Sequence, residues 1–280
     1  MIDVQSHIDG RRLPIDQVGV SDLRYPIIVL DQQQEKQQTT ASISMSVNLP
    51  HQFKGTHMSR FVEILNKHRG EVTMRTLPEI LHDLKKHLKA ESAKVDLTFS
   101  YFLEKKAPVS KAKGLMEYEC RFVGESTNKE DDFIFGVKVP VTSLCPCSKA
   151  MSDYGAHNQR GHVEIDVRTS RDTNGSMQFV WIEELIEIAE QAGSSPVYSI
   201  LKRSDEKFVT EQAYDNPVFV EDIVRNVAVK MKQDPRVAWF QVKAVNQESI
   251  HNHSAFARIE WSRKKSKTGK QNSDGQFNLL

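Results

Sequence analysis

The chain has 280 residues, 39% of them hydrophobic and 27% charged, with a formal net charge of +1 at pH 7. That balance is one of a folded chain of one large or two modest domains, not a disordered one. It gives no overall field to gather nucleic acid or an anionic membrane. No apolar run approaches the roughly 18 residues of a membrane helix. The stretch 1–12 is polar and lacks the apolar core of a secretory signal. Three cysteines, Cys120, Cys145 and Cys147, are too few for a disulfide framework in a chain this long. Reduced thiols in a cytoplasmic protein are therefore expected, with neither nucleic acid nor membrane as partner.

Residues 1–24 read as an irregular N-terminal segment, 25–30 as a strand and 31–38 as a polar, Gln-rich loop. From Thr40 a period of two sets in, with Ala41, Ile43, Met45, Val47 and Leu49 on one face, as in a half-buried strand. Helical spacing follows at 59–68 and again at 77–90, where Leu77, Ile80, Leu81, Leu84 and Leu88 share a face. Strands are predicted at 95–103 and 115–123, joined by a basic hairpin loop over 105–114. Alternation resumes at Phe133, Phe135, Val137, Val139 and Val141, and at Val163, Ile165 and Val167. Helices are predicted at 181–192 and 217–232, the second with Pro217 in its first turn. Strands at 237–245 and 254–261 close the pattern, and a polar, basic tail over 263–280 is expected to be disordered. The reading is α+β: one ββααββ unit over 25–124 and a second over 125–262, each with helices on one face of antiparallel sheet.

Chemistry concentrates in the connection 143–160, which holds Cys145, Cys147, His157, Lys149 and Arg160 and few apolar residues. Loops on rigid scaffolds commonly carry function. A disulfide between Cys145 and Cys147 would be strained, and their spacing is not that of a zinc ribbon. A thiolate and an imidazole suit zinc or a similar ion, so Cys145 or Cys147 with His157 supplies two ligands. A third would come from elsewhere, and a fourth position left open to water is the mark of a catalytic metal. The competing reading is a pair of inert thiols and a surface histidine.

A second concentration is 246–253, with Glu248, Ser249, His251 and His253 between the last two strands. A carboxylate can accept both N–H groups of a guanine edge, which makes Glu248 the candidate grip. His251 or His253 can act as acid or base near neutral pH. Between the two segments lie Asp205, Glu206, Glu211, Asp215 and Glu221, most of which spacing alone assigns to solvent. Gly55 to Phe61 opens a helix with His57, Ser59 and Arg60, either a phosphate contact or a plain cap by Ser59.

The run Leu144-Cys145-Pro146-Cys147-Ser148-Lys149, followed by Tyr154-Gly155-Ala156-His157-Asn158-Gln159-Arg160, closely resembles the prokaryotic type IB GTP cyclohydrolases. So do 18–26, 55–61, Val209-Thr210-Glu211, Asn216-Pro217 with Phe219 to Asp222, and 248–253, a resemblance spread over about 16–262. It implies a tunnelling fold, in which ββααββ units assemble into a barrel as a homotetramer with active sites at subunit interfaces. It also implies that Cys145 and His157 bind a divalent ion, Zn2+ or Mn2+ with Fe2+ as a further option. A Glu from the middle segment is the third ligand, Glu206 ahead of Glu211. Cys147, Glu221 and His251 resemble the group that handles protons, with Cys145 beside them, and Glu248 resembles the acidic purine anchor. Lys149, Arg160 or Arg60 would meet the triphosphate.

The expected reaction is hydrolysis of GTP at guanine C8, loss of formate and closure to 7,8-dihydroneopterin triphosphate, the first step of tetrahydrofolate synthesis. Two rivals stand beside it. One is nitrile reduction by a related fold with Cys145 or Cys147 as nucleophile and NADPH as reductant. The other is a non-catalytic metal or nucleic-acid binding module using the basic tail and 105–113, which predicts salt-sensitive binding.

Overall fold

The computed structural model describes residue 5 and residues 7–32, 35–68, 71–73 and 76–264. All but Arg263 and Lys264 of the expected disordered tail lies outside the described residues. The chain divides into two compact units, Met1–Tyr101 with Cys120–Phe135, and Phe102–Glu119 with Gly136–Leu280. The architecture is α+β, with nine strands among the described residues, antiparallel in each pair described below.

In the first unit, β1 (Ile15–Asp31) and β2 (Glu35–Leu49) precede α1 (Met58–Lys67) and α2 (Leu77–Leu88). After them come β3 (Ala93–Lys106), β4 (Lys113–Ser126) and the start of β5 (Asp131–Leu144), side by side in chain order. The alternation read from Thr40 onward is the pleat itself: Ala41, Ile43, Met45 and Val47 are buried and face Phe99, Leu97, Val95 and Ala93 of β3. Phe61, Ile64 and Leu65 are the buried stripe of α1, and Leu77, Ile80, Leu81, Leu84 and Leu88 that of α2. Each large side chain removed from water in this way stabilises the fold by roughly 1.5–3 kcal/mol.

Two expectations fail here. The segment 1–24 is not wholly irregular, because β1 begins at Ile15, and the loop expected at 31–38 is shorter, because β2 begins at Glu35. The early part of β1 is exposed and bulged between Ile15 and Val18 and between Val20 and Leu23, so no period of two survives there. Gly19 marks the close approach of the two strands: a Cβ there would stand 1.8 Å from Met45 O.

In the second unit, the far ends of β3 to β5 are joined by β6 (Asn158–Thr169), β8 (Val237–Gln247) and β9 (Ser254–Ser262), in the order β5-β6-β8-β9. The two-residue β7 (Ser195–Pro196) pairs with β5. α3 (Pro146–Met151) lies in the β5–β6 connection, and α4 (Ile182–Glu190), α5 (Arg203–Asp215) and α6 (Val220–Gln233) follow β6. α4 packs on β6, and α6 on β8 and β9, over a core of Val163, Ile165, Val167, Leu185, Ile223, Val227, Phe240 and Val242.

α5 was not predicted, because only Asp205 and Ala213 of its thirteen residues are buried and no apolar stripe announces it. What holds it is polar. Asp205, 0% exposed, accepts from Val109 N and Ser110 N at 2.8 Å each, from Ser110 Oγ at 2.5 Å and from Lys202 N at 2.8 Å. Pro217 does not sit in the first turn of α6, which starts at Val220 with Asp222 Oδ2 accepting from Phe219 N at 3.0 Å. Arg263 is ordered rather than part of a loose tail, donating through Nε to Val237 O at 3.0 Å and through its terminal nitrogens to Lys232 O and Asp234 O.

Three lysines of the basic hairpin have partners. Lys105 Nζ meets Glu190 Oε1 at 2.6 Å, Lys113 meets Glu104 at 2.8 Å and Lys111 donates to Pro108 O.

Candidate active site

The second unit gathers four chain segments around one cavity of about 270 Å³. Ser143 and Cys145 come from the end of β5, His157 and Gln159 from the start of β6, and Val218 to Glu221 from the entry to α6. Asn246, Glu248, His251, His253 and Ala255 come from β8, β9 and their connection.

Local chemistry explains each placement. Pro146 opens α3, where its missing N–H costs nothing, and Cys145 caps that helix, its Sγ accepting from Ser148 N at 3.4 Å. Cys145 N donates to His157 O at 3.0 Å, which ties the two ends of the connection together. Ser148 tightens the same loop, its Oγ donating to Cys145 O and accepting from His157 N at 3.2 Å each. The segment before α6 is pinned by Asn216 Nδ2 on Gly193 O at 3.0 Å and by Val218 N on Leu144 O at 3.1 Å. Glu221 thereby enters the cavity from the first turn of α6. Gly161 faces Asn246 across the β6–β8 pair, and a Cβ there would stand 2.4 Å from Asn246 Oδ1. His251 and His253 stack, with ring centroids 5.2 Å apart.

Of the residues expected from sequence, Cys145, His157, Glu221, Glu248, His251 and His253 line this one cavity. Neither Glu221 nor Glu248 has a hydrogen-bond or ion-pair partner among the described residues, so both carboxylates are available to a ligand. The other expected residues are not brought there. Cys147 is exposed on α3 outside the lining, and Arg160 is exposed on β6, on the face opposite Gln159. Lys149 is committed to Tyr214, bonding its carbonyl oxygen and lying 4.2 Å from its ring centroid. Arg60 belongs to the first unit, where it donates to His87 O at 3.2 Å beside a smaller cavity of about 110 Å³ lined also by His57 and Lys89.

Glu206 is exposed on α5 and is not among the cavity residues, and Glu211 pairs with Lys207 at 3.0 Å on the same helix. Among the described residues no group of three or more His, Cys, Asp or Glu side chains is arranged to hold a metal. One chain therefore presents a thiol and an imidazole of the right chemistry for a borderline divalent ion, but not a complete ligand set. The lining residues that sequence reasoning missed are Ser143, Gln159, Val218, Phe219, Val220 and Ala255. Gln159 stood inside the His157-to-Arg160 motif, but nothing in its spacing distinguished an inward amide from an outward one.

Comparison with known proteins matches residues 1–257 to the family described as type I GTP cyclohydrolase folE2. The chain belongs to that family. It is 56% identical over 261 residues to GTP cyclohydrolase FolE2 of Syntrophotalea carbinolica, covering 93% of this chain and 95% of that one. It is 54% identical over 265 residues to the FolE2 of Geobacter sulfurreducens, covering 95% of this chain and 100% of the relative. Among solved structures, the chain is similar to uricase from Arthrobacter globiformis, with a TM-score of 0.51 at 8% identity over 91% of this chain and 96% of that one. Urate oxidase from Bacillus subtilis 168 matches likewise, with a TM-score of 0.51 at 8% identity over 88% and 98%. At that identity the likeness concerns the fold alone. Among the described residues no helix is long and apolar enough to cross a membrane.

Proposed function

We propose that this cavity hydrolyses GTP at guanine C8, releasing formate and yielding 7,8-dihydroneopterin triphosphate at the head of tetrahydrofolate synthesis. The observation that carries the reading is the convergence of Cys145, His157, Glu221, Glu248 and His251 on one cavity in a chain of the FolE2 family. Glu248 accepts the guanine N1–H and N2–H and so seats the ring. Freeing C8 as formate takes two waters and two C–N cleavages, each needing a proton taken from water and one returned to the departing nitrogen, and ring closure gives one water back. His251 and Glu221, both lining the cavity, would carry these protons. Cys147 joins that group in the resemblance, although its thiol is exposed outside the lining.

Cys145 and His157 would hold the ion, Zn2+ or Mn2+ with Fe2+ as a further option. Such an ion supplies Lewis acidity and acidifies water when bound. The third ligand, Glu206 or Glu211, would come with a second copy of the chain in the homotetramer that the resemblance implies. Lys149, Arg160 and Arg60 remain the proposed triphosphate contacts in that assembly. We read the element order as two tandem ββααββ units of a tunnelling fold, the second interrupted by α3, β7 and α5, in a cytoplasmic enzyme.

The test is purified protein incubated with GTP and each candidate ion in turn, with formate and fluorescent pterin measured. Formate and pterin with GTP but not ATP are expected. No formate with any ion would end the proposal.

A further inference from the structure

Within the cavity lining lies a small buried network that the proposed chemistry does not use. Ser143 is 1% exposed, Asn246 2% and Gln159 8%. Ser143 Oγ donates to Val218 O at 2.9 Å, and a carbonyl oxygen can only accept, so the one hydroxyl hydrogen is spent there. Every other group on Ser143 Oγ must therefore donate to it. Asn246 Nδ2 does so at 3.0 Å and Gln159 Nε2 at 3.4 Å. With its amide nitrogen turned to Ser143, Gln159 presents Oε1 to His157 Nδ1 at 2.9 Å. That oxygen too can only accept. The neutral imidazole must then carry its hydrogen on Nδ1, which leaves the Nε2 lone pair bare on a residue that lines the cavity.

The reverse arrangement fails on hydrogen count. Turning the Gln159 amide over would set its oxygen against Ser143, which has no second hydrogen, or would strip Val218 O of its donor inside a buried cluster. Ser249 Oγ, at 3.4 Å from His157 Nδ1, is an exposed hydroxyl that can donate or accept, so it suits either tautomer and selects neither.

We infer that Gln159, oriented by Ser143, is a positioning residue that holds His157 in the Nδ1–H tautomer with Nε2 free to bind an electrophile. In water the Nε2–H form of a histidine is ordinarily the preferred one, so the network reverses the ring's own preference. Its relevance to metal binding rests on the function proposed above. The tautomer does not.

The experiment is two-dimensional 1H–15N correlation NMR of metal-free, 15N-histidine-labelled full-length protein, at a pH about two units above the ordinary imidazole value. His157 is assigned by its loss in His157→Asn. Wild type is expected to show the Nδ1–H pattern at His157. Gln159→Leu should revert to mainly Nε2–H and weaken zinc binding by about 10–100-fold, while Gln159→Glu, which still accepts from Nδ1–H, should keep the wild-type tautomer. If Gln159→Leu does not fold by circular dichroism, Ser143→Ala serves instead, since it frees the amide to turn and should raise the Nε2–H population. Nε2–H in the wild type, or an unchanged tautomer in the folded variant, overturns the inference. The expected tautomers in a protein that binds no zinc would uphold it and remove the metal reading instead.

Discussion

Two polar clusters of the second unit differ in one respect that separates structure from chemistry. Around Asp205 every acceptor is used: both carboxylate oxygens are bonded, to Val109, Ser110 and Lys202, and the group is fully enclosed. Around the cavity, the hydrogen bonds stop one shell short. Ser143 and Gln159 are engaged, while Glu221 and Glu248 have no hydrogen-bond or ion-pair partner among the described residues. A saturated cluster pins a hairpin to a helix, and an unsaturated one leaves its carboxylates without a protein partner. Both are built from carboxylates near helix or strand ends, so residue type alone does not tell them apart.

The contrast is broken or sharpened by substitution. His157→Ala should give the largest loss, a fall in turnover of about 10³-fold or more with bound metal reduced to background, yet a stability change of only about 1 kcal/mol, the low end of the cost of leaving buried Gln159 Oε1 without its donor. Assay, metal analysis and thermal melting check this together, and a large drop in stability would place His157 with the structural cluster. His251→Ala should lose about 10²–10⁴-fold in kcat while retaining metal. Glu248→Gln should cut the preference for GTP over ATP by about 10²-fold in kcat/KM. Unchanged discrimination would remove the purine anchor.

Asp205→Asn should do the opposite of His157→Ala, lowering the unfolding midpoint by at least about 5 °C with metal content intact. Its pH signature is specific. Burial by itself would raise the Asp205 carboxyl, but the hydrogen bonds from Ser110, Lys202 and Val109 outweigh it and hold the group far below the usual carboxylate range. A carboxyl whose folded pKa is depressed contributes fully above its unfolded value, about 3.9, and progressively loses that contribution as pH falls toward the folded one. Asp205→Asn should therefore flatten the stability profile below about pH 4, as read by melting across the acid range. The smallest effect is expected of Glu211→Gln, under about 0.5 kcal/mol for an exposed i,i+4 pair with Lys207. Loss of metal in Glu211→Gln but not Glu206→Gln would transfer the third-ligand role to Glu211.

Much of the fold was legible because burial writes a period into the sequence. The helix through Leu77 to Leu88 is legible near its true limits, and so is the alternating face of Ala41 to Leu49, although its strand begins earlier, at Glu35; each buries a regular face. α5 and the first part of β1 were not, because one is held by Asp205 and the other lies exposed and bulged, and neither leaves an apolar rhythm. At the cavity, Cys145, His157, Glu221, Glu248 and His251 could be named in advance by residue type and family motif, while Glu206 and Arg60 were named on the same grounds and stand outside it.

By itself the sequence determined the alternation of the strands, the stripes of the amphipathic helices and which short segments carry reactive side chains, all properties of neighbours a few residues apart. Only the tertiary structure decided that 143–145, 157–159, 218–221 and 246–255 share one cavity, and that Asp205 is enclosed while Glu206 beside it is in water. Only it, too, shows which way the Gln159 amide faces. The reason is physical: whether a polar group is spent or available depends on the hydrogen-bond partners around it, and those arrive from strands and helices far apart along the chain.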